Sequence, residues 1–588
     1  MAFSTPSQSP AVTIREIDLT GVAPNVSTST GATVGNFRWG PANQRTLVSG
    51  ESELISIFAA PNESTAVDFH SAAYFLKYSD ALYIVRGNNG GLNAHSATVS
   101  LTTDAAAIDN RNDWDQSKVG MGESGVKIGS FVAKYPGSLG NSLSVSFCPA
   151  GGTFSTWAWK NAFDSAPSTS VWAAAHGGSN DEMHVVVIDR LGHFTGNPGG
   201  ILEVFPYVSM AKGAVTPDGS PNYVSDVLNN GSAFIWNAYF GDDNAFGSAY
   251  EDLGTLIGSV TSADSPVDFA ISGWTNALST MDLKGGVESS AFTLGTYIGA
   301  FSQFEDADQV IVDFLICPQQ VLAADATALV NHVTGIAVDR KDCIAVASPN
   351  RAAIVGNVSN QVTDTVSFAD TLTPTSYLVV DNNFIKVFDK YNDNYIFIPA
   401  ASSTAGVMAA TDKVSAPWFS PAGQRRGQYL GVTDLASNPT KSQRDTLYRS
   451  AVNPIANIPG QGVILFGDKT HQLRPSAFDR INVRRLFLTI ERVIGQAGKN
   501  VMFEFNDEFT RAEFVNIVEP VLREIKGRRG ITDFKVVCDE TNNTGAVIDR
   551  NEFVASIFIK PARSINYVTL NFIAVRTGIE FEEVVGTV

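Results

Sequence analysis

Cysteine is scarce in this 588-residue chain: Cys148, Cys317, Cys343 and Cys538 are all there is. They form no C-x-x-C pair, and no histidine stands near them at zinc spacing, so neither a structural zinc site nor a disulfide framework is expected. Four buried free thiols of a reducing compartment are the expectation. No apolar run approaches the roughly 18–20 residues of a membrane span. Met1–Pro10 has neither a basic stretch nor an apolar core, which argues against a secretion signal and leaves sequons such as the one at Asn25 without meaning. Also missing are a G-x-x-x-x-G-K-[ST] phosphate loop, H-E-x-x-H and G-x-S-x-G. The seven histidines are scattered. Carboxylate pairs such as Glu305-Asp306 and Glu582-Glu583 are adjacent, so on a strand they point apart. No catalytic residue, metal site or cofactor is expected, and the chain reads as a non-enzyme.

What is present is a globular composition. The 44% hydrophobic share is too high for a disordered chain, and the length suggests about four domains. Fifty glycines and 10% aromatics suit a β-rich protein with many turns. The net charge of -18 argues against binding nucleic acid or an anionic membrane. That charge is unevenly spread. Residues 411–588 hold 23 of the 41 Lys and Arg but only 20 of the 59 Asp and Glu, a net of +3 against -21 for the first 410. An acidic body facing solvent and a charge-dense end facing a protein surface would produce this. So would two domains of drifted composition.

Residues 1–10 carry no pattern, and 11–20 (AVTIREIDLT) read as a lone strand, with Ile17 and Leu19 on one face and Val12 and Ile14 on the other. Helices are expected at 51–58 and 66–77, and a buried strand at 81–86. Residues 95–285 alternate short strands with turns, clearest at 142–148, 184–189 and 202–210. From 286 the pattern returns to helices (293–305, 325–338) alternating with continuous apolar strands (310–317, 343–347). That pattern implies a mixed or parallel sheet covered on both faces and interrupted by a β-rich insertion. Near the end, 481–494 is a helix with Leu486, Phe487, Ile490, Val493 and Ile494 at helical spacing. Arg480, Arg484, Arg485 and Arg492 fall on its other side. A capping box at Thr510–Glu513 opens a second helix, which Pro520 should kink. A strand at 534–538 and a strand pair, 553–559 with 565–575, complete the chain. Val568, Leu570, Phe572 and Ala574 share one face of the last strand.

Two stretches invite functional readings. The run at 109–115 (DNRNDWD) resembles a calcium loop but puts Arg111 at a ligand position and lacks the turn glycine, so a solvated loop is expected. His471 (GDKTHQL) is expected at the surface or in a cap.

The chain resembles the contractile tail sheath proteins of bacteriophages. The resemblance rests on Pro10-x-Val12-x-Ile14-x-Glu16, on GNFRWGP (35–41), AKYPGSLGN (133–141), LKGG (283–286) and FEDADQVIVDFLIC (304–317), and above all on an ordered series from Trp418. That series comprises WFSPAGQRRG, LYRSAVNPI, GQGVILFGDKT, RRLFLTIER, FEFND, VVCDETNNT and IKPARSINYVTLNF. It is poor over roughly 150–280. The resemblance implies an α/β and α+β multidomain fold. The expected parts are an N-terminal strand arm (1–20), a mixed-sheet sheath core in two pieces (21–94 and 286–435), inserted β-rich outer domains (95–285) and a C-terminal α+β domain (436–588). It implies hexameric rings stacked around an inner tail tube, with baseplate and terminator proteins at the ends, in a virion assembled in a bacterial cytoplasm. Val12, Ile14, Ile17, Leu19, Val568, Leu570 and Phe572 would join neighbouring subunits by strand exchange, unless the two strands pair within one chain. Arg480, Arg484, Arg485, Arg492, Lys526, Arg528 and Arg529 would face the tube, unless the arginines pair with Glu491, Glu519 and Glu524. A static tube or shell protein, or the sheath of a phage-like injection system, remains the alternative.

Overall fold

The computed structural model describes residues 29–96, 107–117, 131–211, 213–237, 280–319 and 323–566. The chain divides into two compact units. The larger holds described residues up to Pro417 and from Pro421 to Arg484; the smaller holds Trp418–Ser420 and the chain from Arg485.

A seven-stranded sheet organises the larger unit. Its order is Val452–Asn453, Leu378–Asp381, Ile344–Ala347, Phe314–Ile316, Gly31–Gly35, Leu82–Arg86, Arg45–Val48. Every neighbouring pair is parallel except the last, where Arg45–Val48 runs antiparallel on the edge. Strands buried on both faces have no polar side to show, which is why they are continuous apolar runs. On one face, Ala32, Val34, Leu315, Ala345 and Val380 pack with Phe301, Leu329 and Val333 from the Leu294–Phe301 and Ala323–Arg340 helices. Helices Ala66–Leu76 and Ala401–Val414 pack together elsewhere in the unit. They approach closely because Gly406 faces the Tyr78 ring, which a Cβ would strike. The expected 310–317 strand is shorter than its apolar run. Only Phe314–Ile316 joins the ladder, because both partners pair with three residues; Val310 and Val312 are still buried.

Between Leu82–Arg86 and Phe314–Ile316 the chain builds a second, antiparallel sheet: Gly200–Ser209, Glu182–Asp189, Leu143–Pro149, Thr280–Asp282. Alternation decides its faces. Leu143, Val145 and Phe147 enter one core with Val185, Val187 and Trp39. Cys148, Val186 and Ile188 enter another with Trp157. The run at 109–115 is not a solvated loop. Arg111–Ser117 is a short helix, and Trp114 lies buried with its ring stacked on Trp236 at 5.0 Å. Burial of that indole gives the segment a packing role.

Arg86 ties the two sheets. Its side chain is fully buried, and it donates to the carbonyls of Phe37 (2.8 Å), Gly40 (2.8 Å) and Pro136 (2.6 Å). Burial pulls its pKa down to about 10, against the pull of Glu288 and Asp109. The turn it holds places Trp39 edge-on to Tyr135 and Phe194 in the second sheet's core. Gly137 sits beside it at φ 140°, where a Cβ would lie 2.8 Å from the Arg38 carbonyl; only glycine fits there.

Residues 436–484, expected with the C-terminal part, fold with the larger unit, because Val452–Asn453 closes the edge of the main sheet. His471 is buried, not at the surface. Its backbone N–H reaches Leu378 O, and Nε2 lies 3.1 Å from Ala369 O. All four cysteines are buried free thiols, and burial pushes Cys148 and Cys317 up to about 12.

The smaller unit contains most of the Ile481–Val501 helix, the Glu508–Gly527 helix and an antiparallel pair, Ile531–Val537 with Ser556–Pro561. The strand expected at 553–559 thus pairs upstream with 531–537. The second helix starts earlier than the capping box implied: Asp507 is the cap, accepting from the Thr510 N–H at 2.8 Å. An ionised carboxylate at a helix N-terminus also meets the macrodipole, which a threonine does not. Pro520 sits inside this helix on its exposed side, where the carbonyl freed at exposed Asn516 can face water. Trp418 docks here, donating to Arg528 O at 3.1 Å under the Arg528 guanidinium.

Replacing Arg86 with leucine strands three carbonyls in a dry site. The expected cost is roughly 3–5 kcal/mol of unfolding free energy, read as a shifted urea midpoint; a midpoint shift worth less than about 1 kcal/mol would remove Arg86 from this role.

Candidate assembly surfaces

The arginine-rich helix begins inside the protein. Ile481, Asn482, Val483, Arg484, Arg485 and Leu486 are all buried, so its first turn has no outer face. Arg484 is 5% exposed, held between the Tyr377 and Phe478 rings at 4.4 and 4.5 Å and 3.4 Å from Ser376 Oγ. Arg485 is 4% exposed. Arg480 precedes the helix and is half-buried. It pairs with buried Asp468 at 3.0 Å and donates to the Tyr448 hydroxyl, while Lys469 Nζ lies 4.3 Å from the Tyr448 ring centre. Arg492 is half-buried. The reading of these four as one solvent-facing arc is therefore corrected for Arg484 and Arg485. Helical periodicity places residues around an axis, but it does not say what covers each side.

The expected cations at the end of the second helix do lie on the surface. Lys526 is exposed and pairs with Asp533 at 3.1 Å. Arg528 pairs with Glu524 at 3.5 Å, one turn back, and Arg523 pairs likewise with Glu519 at 2.6 Å. Pairs this exposed contribute little, about 0–1 kcal/mol each. Arg529 is exposed and has φ 65°, just past the helix end. Glycine is the usual residue in that left-handed position, so a cation is kept there at a conformational cost.

The strand-arm residues Val12, Ile14, Ile17, Leu19, Val568, Leu570 and Phe572 lie outside the described residues. The pair they would extend is described. Ile531–Val537 and Ser556–Pro561 form a two-stranded sheet whose outer edges are both unpaired among the described residues. Such edges are templates for strand addition.

An apolar groove of about 1180 Å³ in the smaller unit was not expected. Phe487, Ile490 and Ile494 form one wall, Ile557 and Ile559 another, and the 502–505 loop its lip. On that loop Phe503 is fully exposed, and Met502 and Phe505 are largely so. The FEFND run carried the signal: two phenylalanines two residues apart in a loop have no core to enter. Among the described residues no cluster of His, Cys, Asp or Glu could hold a metal ion, and no helix is long and apolar enough to cross a membrane.

Residues 293–471 match the family described as phage tail sheath protein central domain, and 474–574 match the phage tail sheath C-terminal domain. The tail sheath protein of Salmonella phage ViI is 33% identical, covering 99% of this chain and 98% of its own. Those of Vibrio phage KVP40 and Enterobacteria phage T4 are 31% and 32% identical, each covering 98% of this chain and 99% of its own. Among solved structures, the sheath tail protein of Listeria innocua shares the fold. Its TM-score is 0.52 at 12% identity, over 92% of this chain and 93% of that one.

Two substitutions separate buried from displayed arginines. Arg484→Glu should cost about 3 kcal/mol or more, since it buries an unpaired carboxylate between two rings. Arg529→Gly should gain about 0.5–1 kcal/mol by relieving the left-handed backbone. Guanidinium denaturation measures both; equal, small effects would contradict the assignment.

Proposed function

The chain belongs to the phage tail sheath family, a structural subunit of a contractile tail, and we propose that it works as stacked six-membered rings around an inner tube, joined by exchanged strands and holding the tube by charge. The full-length likeness to three tail sheath proteins carries the family assignment; the mechanism rests on the surfaces described above.

Strand exchange is supported by the two open edges of the 531–537 and 556–561 pair. Residues 11–20 and 565–575 are the segments patterned to fill them. An added strand offers about five backbone hydrogen bonds, each net about 1 kcal/mol. A linker such as the chain between the N-terminal arm and the Gly31–Gly35 strand lets those bonds persist while rigid bodies rotate. Subunits can then rearrange without letting go of their neighbours.

The tube-facing role falls to Lys526, Arg528 and Arg529, with Arg492 at the margin. Arg480, Arg484 and Arg485 instead root the preceding helix. Each exposed cation binds weakly and is screened by salt. Repeated around a ring, such contacts add up, yet they release as the ring widens, which a dry apolar interface would not do. The poorly matched residues 95–285 face outward in this arrangement, clear of the tube. Baseplate and terminator proteins would meet the end rings. The acidic first 410 residues keep the outer body soluble and away from nucleic acid.

Deleting residues 1–20 should leave a folded subunit that forms no tubes under the electron microscope; tubes of normal length would rule out the N-terminal arm as a connector. The triple change Lys526→Glu, Arg528→Glu and Arg529→Glu should abolish retention of the inner tube at low salt. Retention with the wild-type salt dependence would move the tube contact elsewhere.

A further inference from the structure

The groove in the smaller unit lies beside the last described strand, and the chain that follows suits it. Ile557 and Ile559 of Ser556–Pro561 line the groove, so its wall and the start of the tail are one segment. Residues 562–566 then give a five-residue connection before Tyr567, a common hairpin loop length.

Charge selects which part of the tail fits. The ionisable residues lining the groove are Glu491, Glu504 and Glu552; no Lys or Arg lines it, and Arg550 pairs with Glu552 at 2.8 Å from outside the lining. Residues 567–577 (YVTLNFIAVRT) are apolar or neutral except for Arg576. Beyond them, Glu580, Glu582 and Glu583 would be repelled. The N-terminal strand is a poorer match, carrying Glu16 and Asp18 against Arg15.

We propose that in the free subunit residues 567–577 fold back onto the outer edge of Ser556–Pro561 and fill this groove, and that assembly exchanges this seat for the same seat on a second copy. The inference rests on reading the arms as inter-subunit connectors. A short tether makes self-pairing the low-cost choice at low concentration, because closing a small loop costs little entropy and gives a high effective concentration. Exchange of an identical segment between copies breaks and makes the same contacts. The free subunit then hides its stickiest surface, the Phe503 and Phe505 lip, until a neighbour supplies an equivalent strand.

Hydrogen exchange by mass spectrometry on the full chain tests this, comparing monomer, verified by light scattering, with assembled tubes. The expected result is protection of 567–577 in the monomer by at least about tenfold over the free peptide, independent of protein concentration. The change Arg576→Glu, which puts a like charge against the three carboxylates, should cut that protection several-fold and leave 531–537 unaltered. Protection only in tubes would overturn self-seating while sparing strand exchange. Absence of protection in both states would overturn the two together. Protection that grows with protein concentration would assign the seat to a second copy and overturn the proposal, as would an unchanged exchange pattern in the Arg576 variant.

Discussion

A guanidinium taken wholly out of water constrains everything around it. Arg86 has no carboxylate among its hydrogen-bond partners; its N–H groups end on three main-chain carbonyls from two different turns. Backbone carbonyls cannot move independently of the chain that carries them. Residues 35–41 and 133–141 are therefore registered to one another and to the end of the Leu82–Arg86 strand. Trp39 reaches the second core only because that turn is held. These two runs are also among those that first suggested kinship with sheath proteins, and the geometry gives their composition a reason. Glycine is required at 137, and Pro136 supplies a carbonyl while having no N–H that would need an acceptor.

The parallel sheet was legible in the sequence because burial on both faces writes itself as unbroken apolar runs, as at 82–86 and 344–347. The three clear strands of the second sheet were legible for a related reason: alternation at 143–149 separates two cores. Legibility failed where the deciding partner is distant in sequence. Nothing near Arg484 announces that Tyr377 will cover it. His471 is buried by Leu378 and Ala369, again far upstream. Helix starts failed differently. Asp507 and Thr510 both suit a cap, and the choice between them rests on a carboxylate's better match to the helix dipole. The groove went unread because its walls come from a helix and a strand far apart in sequence; only the FEFND loop at its lip carried a local signal, two phenylalanines without a core.

Within the smaller unit, short-range packing and long-range display divide the labour. Phe514, Val518, Leu522 and Ile525 bury the second helix, and Phe553 meets Phe514 edge-on at 5.4 Å. Gly530 turns the chain where a Cβ would lie 2.6 Å from Ile525 and 3.1 Å from Trp418. That anchored turn holds Arg528 and Arg529 at the surface on a rigid base. Weak contacts gain specificity when the groups that make them cannot wander. The uneven charge of the sequence thus has a local meaning: part of the basic surplus roots a helix, and part is put on view.

The thiols bear on durability. A tail protein must persist outside any cell, in the presence of oxygen and without reductants. Oxidation of cysteine proceeds through the thiolate and needs access. With all four cysteine thiols buried, and two held near a pKa of 12, almost no thiolate exists at neutral pH and little of it can be reached. Packing serves here as an antioxidant for the thiols, whose oxidation is paced by how seldom those cores open.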